Sequence, residues 1–507
     1  MKKIIIGAMM CAAVMVPLLT SCEDMLDTKN FTDMSPNNFF KTEGDLDAAV
    51  TGLYLPLTTN WGYSDGGTGG WYNSLFNADI NSYFAGGMVT TDIMRPYSSY
   101  VYDEFNVGPS TRGAISTTYN VLRFVARATD IINQIEKSTG STEAVRTRYV
   151  AEAKTLRAFY MYTLLDFFGP LNVKIDPSKL NDNTIEPRPS NDVYVGYIEK
   201  DLDDAINTAS FPEKYNNNPE EWGRMSKAIA YGIKLRLYMH EKNWQQAKAA
   251  AQTLMGMGYS LLPNYEDVFK SAVNDELIWV IPSNTASDNY YVTEVLPNDF
   301  KRGYTSKGKS YIRGTDDNYF SGWKIYCMRW DFYDTFEDND TRKQVILCEY
   351  DNSRNEHITR ENGMVGAIPV KFMDTKFAKW GTQTAQPILR YAEVLLSFAE
   401  AENELNGPTA DAVKALKQVT DRAGVKIPAS ATASKEAFRD YLLLERGHEL
   451  FGEGVRRQDL IRHGVYIKLA RERDNNAQDY QVLFPIPQFA ITESNGILKQ
   501  NPGYENK

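Results

Sequence analysis

Cysteine and histidine are scarce in this chain, with four of each among 507 residues. The histidines, at positions 240, 357, 448 and 463, show no HExxH spacing, and no CxxC occurs. Those spacings are typical of zinc sites. We therefore expect neither a metal nor a cofactor. Of the cysteines outside the amino-terminal segment, Cys327 and Cys348 could form one disulfide or stay reduced.

Basic residues are fewer than acidic ones, 55 Lys and Arg against 65 Asp and Glu. The formal net charge is −10 at pH 7, and the sequence contains no cluster of Lys and Arg. Proteins that bind nucleic acid neutralise phosphates with such clusters. The composition therefore argues against a nucleic-acid partner.

Long apolar runs are confined to the amino end. Lys2 and Lys3 precede sixteen mainly apolar residues, Ile4 to Leu19, which are followed by Thr20-Ser21-Cys22. The run is too short to span a bilayer, and small residues before a cysteine are typical of lipoprotein signals. We expect residues 1–21 to be a signal peptide and Cys22 to carry the lipid anchor.

No Pro/Gly/Ser-rich or charged linker divides residues 22–507, so we predict a single domain. One clear helix has its apolar face repeating every three to four residues and ends at Gly169-Pro170. That face consists of Tyr149, Ala153, Leu156, Tyr160, Thr163 and Phe167.

Two further segments have the length of a helical hairpin. The first begins at Ser226, a candidate helix cap, turns at Asn243-Trp244 and ends at Gly258. The second runs from Tyr391 to Gly424, with its turn at Gly407-Pro408. Its thirty-four residues equal the tetratricopeptide period. The pattern predicts a mainly α fold built on tetratricopeptide-like hairpins, although each segment alone would also suit a plain helical hairpin.

Long irregular regions separate these helices, at about residues 60–112 and 275–385. Both are rich in Gly, Asn, Asp, Tyr and Trp. Loops of this length in a compact domain are usually functional or disordered, and a high aromatic content argues against disorder. We therefore look for the functional site in these two loop insertions.

Motifs along nearly the whole chain resemble the SusD/RagB family. Near the amino end they are Phe39-Phe40-Lys41-Thr42, the helix carrying Glu152, Arg157, Ala158 and Tyr160, and Phe168-Gly169-Pro170-Leu171. The carboxy-terminal third is more specific, with Arg390-Tyr391-Ala392-Glu393, Asp421-Arg422-Ala423-Gly424, Glu445-Arg446, Glu449, Glu453-Gly454, Arg456, Asp459 and Asn501-Pro502-Gly503-Tyr504. We assign the charged motif residues to the scaffold, because spacings of three and four on a helix build ion pairs.

The resemblance implies a SusD-like fold with little β structure and a role in nutrient capture. Such a protein holds oligosaccharide or polysaccharide at the outer-membrane surface and works with a SusC-like TonB-dependent transporter. Glu23 and Asp24 are similar to the acidic export tag of surface lipoproteins in this group.

Sugars offer an apolar C–H face and a rim of hydroxyls, so their sites combine flat aromatic rings with polar side chains. Two segments supply both residue types and are our candidate walls. The first wall contributes Trp61, Trp71, Tyr72, Asn73 and Asp79. The second wall contributes Tyr291, Trp323 and Trp330, of which the two tryptophans are the preferred stacking residues. Each ring could equally anchor a loop to the core.

Two alternatives to glycan binding remain. A tetratricopeptide scaffold could instead bind peptides or another protein, as some relatives of this family do. A surface glycoside hydrolase is less favoured, because neither G-x-S-x-G nor a Cys-His motif is evident. The carboxylate pair of a glycosidase is a spatial relation, which the sequence does not display.

Overall fold

The computed structural model describes residues 39–59, 62–64, 71–216, 218, 220–271, 273–283, 289–301, 304–306, 309–311, 322–372, 384–473 and 476–505. Cys22 and the predicted signal peptide lie outside the described residues. Helices dominate the described part of the chain, and strands are short, which confirms the predicted mainly α class.

The helices fall into an amino-terminal set, a central pair and a carboxy-terminal set. They are α1 (Glu43–Thr51), α2 (Tyr83–Met88), α3 (Ala114–Tyr119), α4 (Leu122–Lys137), α5 (Glu143–Phe168), α6 (Asn191–Asn207), α7 (Lys227–His240), α8 (Trp244–Met255), α9 (Tyr291–Val295), α10 (Trp330–Tyr333), α11 (Tyr391–Asn406), α12 (Ala410–Ala423), α13 (Lys435–Leu450), α14 (Arg456–Arg462), α15 (Tyr466–Glu472) and α16 (Gln488–Glu493).

The strands pair two at a time in antiparallel ladders. They are β1 (Gly62–Ser64), β2 (Trp71–Asn73), β3 (Met94–Pro96), β4 (Leu277–Ile281), β5 (Tyr304–Ser306), β6 (Lys309–Tyr311), β7 (Tyr326–Met328), β8 (Ile346–Leu347), β9 (Glu349–Asp351), β10 (His357–Thr359), β11 (Ile368–Pro369) and β12 (Gln386–Arg390). Within the described residues the pairs are β1–β2, β3–β7, β4–β12, β5–β6, β8–β11 and β9–β10.

Both predicted hairpins are present. The Ser226 side chain accepts from the Ile229 amide and starts α7, and Asn243 caps α8 in the same way. In the second hairpin, α12 ends at Gly424, whose left-handed φ of 75° suits a residue without a side chain. The second hairpin therefore ends at its predicted glycine, whereas α8 ends at Met255 with Gly256 as its cap, short of the predicted Gly258.

The helices form a stack in which sequence neighbours pack side by side. Helices α4, α5, α6, α7 and α8 follow one another, and α11 packs on α8 before joining α12 and α13. This is the arrangement of stacked helical repeats, which bury a continuous core between successive layers. The predicted helix before Gly169 is α5, and its face carrying Leu156 and Tyr160 is fully buried.

The charged residues of the carboxy-terminal motifs lie inside the protein. Arg390 is 0% exposed and donates from Nη1 to Glu276 and from Nε to Glu453, both at 2.8 Å, while a third pair joins it to Glu449. Burial alone would raise the pKa of Glu449, but Arg422, Arg390 and Arg342 outweigh it and lower that pKa to about 2. These charges are structural, as predicted, because they pair with one another.

Candidate functional site

The two candidate walls meet in the fold. The Tyr326 hydroxyl in β7 donates to the Ala78 carbonyl at 3.0 Å, and β7 also pairs with β3, where Met328 lies opposite Met94. Residues 73–81 and residues 289–301 with 322–330 therefore border one another. These segments are more than 200 residues apart in the sequence. The short β3–β7 ladder brings them together in the fold.

Hydrogen bonds within the first wall fix its backbone. The Asn77 Oδ1 accepts from the Asp79 amide at 2.9 Å, and the Asp79 Oδ1 accepts from the Asn81 amide at 2.7 Å. Ser82 then caps α2. Asn73 and Asp79 are half-buried. Trp61 and the side chains of Trp71 and Tyr72 lie outside the described residues, so their assignment stays a prediction.

Trp323 is the best-placed aromatic of the second wall. Its amide donates to the Thr293 carbonyl at 2.7 Å, which ties segment 322–325 to α9. Its ring stacks on Tyr290 with centroids 6.5 Å apart and planes inclined by 18°. Both side chains are half-buried. A pair of nearly parallel rings at the surface is suited to the apolar face of a sugar.

Tyr291 does not belong to this surface, and its assignment to the binding wall is corrected here. The side chain is 0% exposed, and its ring packs against Phe372 with centroids 4.8 Å apart and against Tyr326 at 6.2 Å. Neighbours on a helix point about 100° apart, so Tyr290 can border the surface while Tyr291 enters the core. Hydrophobic pattern alone could not decide between the two.

Trp330 is held by contacts with the loop around residues 360–364. Its indole N–H donates to the Met364 carbonyl at 2.9 Å, and the Arg360 guanidinium lies 4.8 Å from its ring centroid. Trp323 and Trp330 do not share a helical stripe, because an irregular segment and β7 separate them. These contacts favour the alternative in which Trp330 holds a loop to the body.

A buried carboxyl group lies beneath this surface. Glu294 is 1% exposed, and its Oε1 has no hydrogen-bond partner in the part of the chain that the structure describes. Burial raises the pKa of Glu294 to about 9, and the nearby carboxylate of Asp79 acts in the same direction. The group is therefore protonated at neutral pH.

A groove and an internal cavity of the described chain lie elsewhere. A surface groove of about 460 Å³ runs between α3, α4 and α16, lined by Leu122, Ile185 and Phe489 among others. An internal cavity of about 30 Å³ lies among the buried ion pairs around Arg446, Gln458 and Asp459. Neither includes a predicted site residue.

The described residues contain no group of three or more His, Cys, Asp and Glu side chains able to hold a metal ion. Cys327 is buried, Cys348 is half-buried, and both are free thiols. Among the helices that the structure describes, none combines the length and apolar character needed to cross a membrane.

Sequence reasoning missed the cationic side chains beside this surface. Lys324 places its Nζ 5.1 Å from the Tyr97 ring centroid, and Arg95 lies opposite Cys327 in the β3–β7 ladder. Nothing in the local sequence links residues near 95 to residues near 325. A pairing signal between two three-residue strands is too weak to find in one sequence.

A sequence model of the SusD family matches residues 349–504. SusD-like protein P25 of Formosa agariphila is 25% identical and covers 92% of this chain and 93% of its own length. The starch-binding protein SusD of Bacteroides thetaiotaomicron is 23% identical over 73% of this chain and 75% of its own. The carboxy-terminal match contains most of the motifs that carried the resemblance.

Solved structures share the fold. Surface glycan-binding protein A from Bacteroides thetaiotaomicron, in complex with laminarihexaose, superposes with a TM-score of 0.69 at 21% identity, covering 91% of this chain and 99% of that one. A SusD-like protein from Bacteroides fragilis gives a TM-score of 0.73 at 18% identity, covering 92% and 98%. At these identities the likeness establishes the fold.

Proposed function

Because this chain belongs to the SusD family, we propose that it is a lipid-anchored protein of the outer-membrane surface that binds oligosaccharides. It captures the glycan without cleaving it and passes it to a SusC-like TonB-dependent transporter. The observation that carries the proposal is the stacked, half-buried pair Trp323 and Tyr290, beside the polar loop that ends at Asp79.

The names of the relatives support a glycan ligand. One is a starch-binding protein, and another was solved with laminarihexaose. An aromatic pair can stack on sugar rings, and the half-buried Asn73 and Asp79 offer polar groups for hydroxyls. Binding of this kind is weak per site, since each desolvated hydroxyl must find a new partner.

The transporter and the anchor complete the proposal. The anchor rests on Leu19-Thr20-Ser21-Cys22, and the transporter follows from family membership. We place the contact with the barrel in the segment from Glu23 to about Asp47. Purification of the native protein in mild detergent should bring down a barrel protein, and recovery of the binder alone would contradict this part.

The test of binding uses the mature chain carrying Cys22→Ala, which cannot be acylated. Laminarihexaose, malto-oligosaccharides and a wider glycan array serve as probes, and chromatography of the recovered glycan shows whether its length has changed. Retention of an intact glycan is the expected result. Shortened products would identify a hydrolase, and binding to peptides but to no glycan would favour the peptide-receptor alternative.

A further inference from the structure

A group of cationic side chains adjoins the aromatic pair, although the chain as a whole is acidic. We call Lys324, Arg95, Arg329 and Arg473 the cationic strip. Lys324 directly follows Trp323, and Arg329 directly follows β7. The strip therefore continues the candidate glycan surface along the β3–β7 ladder.

Two of the guanidinium groups lie side by side at the turn before β3. Arg329 Nε donates to the carbonyls of Thr91 at 3.3 Å and Met94 at 3.2 Å. Arg473 Nη2 donates to the Thr90 carbonyl at 3.1 Å. Because these acceptors are consecutive or nearly so, the backbone itself holds two positive charges close together.

Arg95 makes few polar contacts. It is half-buried, and its Nε makes only a long contact, 3.4 Å, with the Pro96 carbonyl. Within the described ranges no carboxylate lies at ion-pair distance from Arg95. Two residues further on, Tyr97 supports the Lys324 ammonium group at 5.1 Å from its ring centroid. Burial raises the pKa of the Cys327 thiol, and Arg95 and Lys324 both oppose that rise, so the two cations lie near the same thiol.

The acids facing the strip do not neutralise it. Asp103 pairs with Arg329 at 2.6 Å; burial raises the Asp103 pKa, and Arg329, Arg473 and Arg95 oppose that rise. Other nearby acids are Glu104 and Asp331, both exposed, and the half-buried Asp299, which lies near Tyr97. The Arg473 Nε and Nη1 are buried without a partner in the described chain. The Arg473 guanidinium therefore keeps two N–H groups that no described acceptor satisfies.

From this arrangement we infer that the bound glycan is acidic, and that a carboxylate or sulfate on one sugar is received by Arg95 and Lys324 while Trp323 and Tyr290 stack a neighbouring sugar. The inference rests on the proposed function and names its substrate class. Lys324 directly follows Trp323, and Arg95 is the ladder partner of Cys327, four positions after Trp323.

The test compares matched probes on the mature chain carrying Cys22→Ala. An array displays uronate-bearing, sulfated and neutral oligosaccharides, together with carboxyl-reduced and desulfated versions of the acidic ones. Wild-type protein should retain an acidic glycan and lose at least about tenfold in affinity when its charge is removed. The reduced and desulfated arms show whether the anion is a carboxylate or a sulfate.

Variants then locate the site. Arg95→Ala should lower the affinity for the acidic glycan by about tenfold or more and make that affinity depend less on salt. Arg354→Ala removes an exposed arginine outside the strip and should change neither property. Equal binding of charged and neutralised glycans, or acidic binding unchanged by Arg95→Ala, would overturn the inference and leave the proposed function standing. Binding to no glycan of any kind would remove the proposed function itself.

Discussion

The indole ring of Trp323 lies nearly parallel to the phenol ring of Tyr290, with 6.5 Å between centroids and 18° between planes. The Trp323 amide is bonded to the Thr293 carbonyl, and Lys324 and Ile325 donate to the carbonyls of Leu296 and Glu294. The backbone that carries the Trp323 ring is therefore held in place by hydrogen bonds to α9 and the residue that follows it. A pre-positioned ring loses little conformational entropy on binding, which favours a role in recognition.

Trp323→Ala should reduce glycan affinity by at least about tenfold, because a stacking ring supplies a large share of a weak total binding energy. Its effect on the melting temperature should be small, since the side chain is half-buried. Isothermal titration calorimetry with a glycan retained on the array, paired with thermal melts, measures both. Unchanged affinity would remove Trp323 from the site.

Trp330→Ala is the matched control and should behave in the opposite way. It removes the hydrogen bond to the Met364 carbonyl and the packing against Arg360. Trp330 is also half-buried, but it loses a hydrogen bond, so we expect the free energy of unfolding to fall by about 1 to 3 kcal/mol and the glycan affinity of the folded protein to stay the same. A loss of affinity at unchanged stability would return Trp330 to the binding surface.

The helical scaffold could be predicted because its signals are local. Ser226, Asn243 and Gly424 act within one turn of their own helices, and a period of three to four residues marks the buried face of α5. The site could be predicted only as two loops rich in aromatics. Which rings face outward depends on contacts between distant strands, so Tyr291 was placed wrongly.

Cys22→Ala should release the protein from the membrane fraction, because Leu19-Thr20-Ser21-Cys22 is the only sequence signal for an anchor. Fractionation followed by mass spectrometry of the amino-terminal peptide tests the lipid directly. Ser21→Ala, which keeps a small residue before the cysteine, should remain membrane-bound. A wild-type protein that is soluble and lipid-free would contradict the assignment.

Glu294→Gln should stabilise the protein at neutral pH. Burial raises the Glu294 pKa to about 9, so between about pH 4.5 and 9 the folded state holds a proton that the unfolded state releases. This group's contribution to stability is full below pH 4.5 and is lost as the pH rises toward 9. The amide of Gln does not ionise in this range, so Glu294→Gln does not lose stability as the pH rises.

Denaturant unfolding at several pH values should therefore show wild type and Glu294→Gln nearly equal at pH 4.5, with the variant ahead by about 3 kcal/mol at pH 7. Asp79→Asn removes the neighbouring charge and should lessen the pH dependence without abolishing it, because burial is the larger cause. A difference that does not change with pH would show that Glu294 is ionised in the folded protein.

Arg390→Met should destabilise the fold strongly, because it leaves Glu276, Glu449 and Glu453 buried without their shared cation. Breaking a buried pair from one side typically costs about 3 to 5 kcal/mol. The pKa of Glu449 is lowered to about 2, so its stabilising contribution is present above about pH 4.5 and is lost as the pH falls toward 2. Wild type should lose stability steeply over that range.

In Arg390→Met the loss of stability at low pH should be less steep, because one of the cations that hold the Glu449 pKa low is missing. Lys417→Met removes one partner of a surface pair whose side chains are 60% and 58% exposed, and it should leave both stability and the acid transition nearly unchanged. Chemical denaturation of the three proteins from pH 7 to pH 2 makes the comparison. Equal acid slopes in wild type and Arg390→Met would mean that Arg390 does not stabilise the Glu449 carboxylate, and the family's charged motif would then need another explanation.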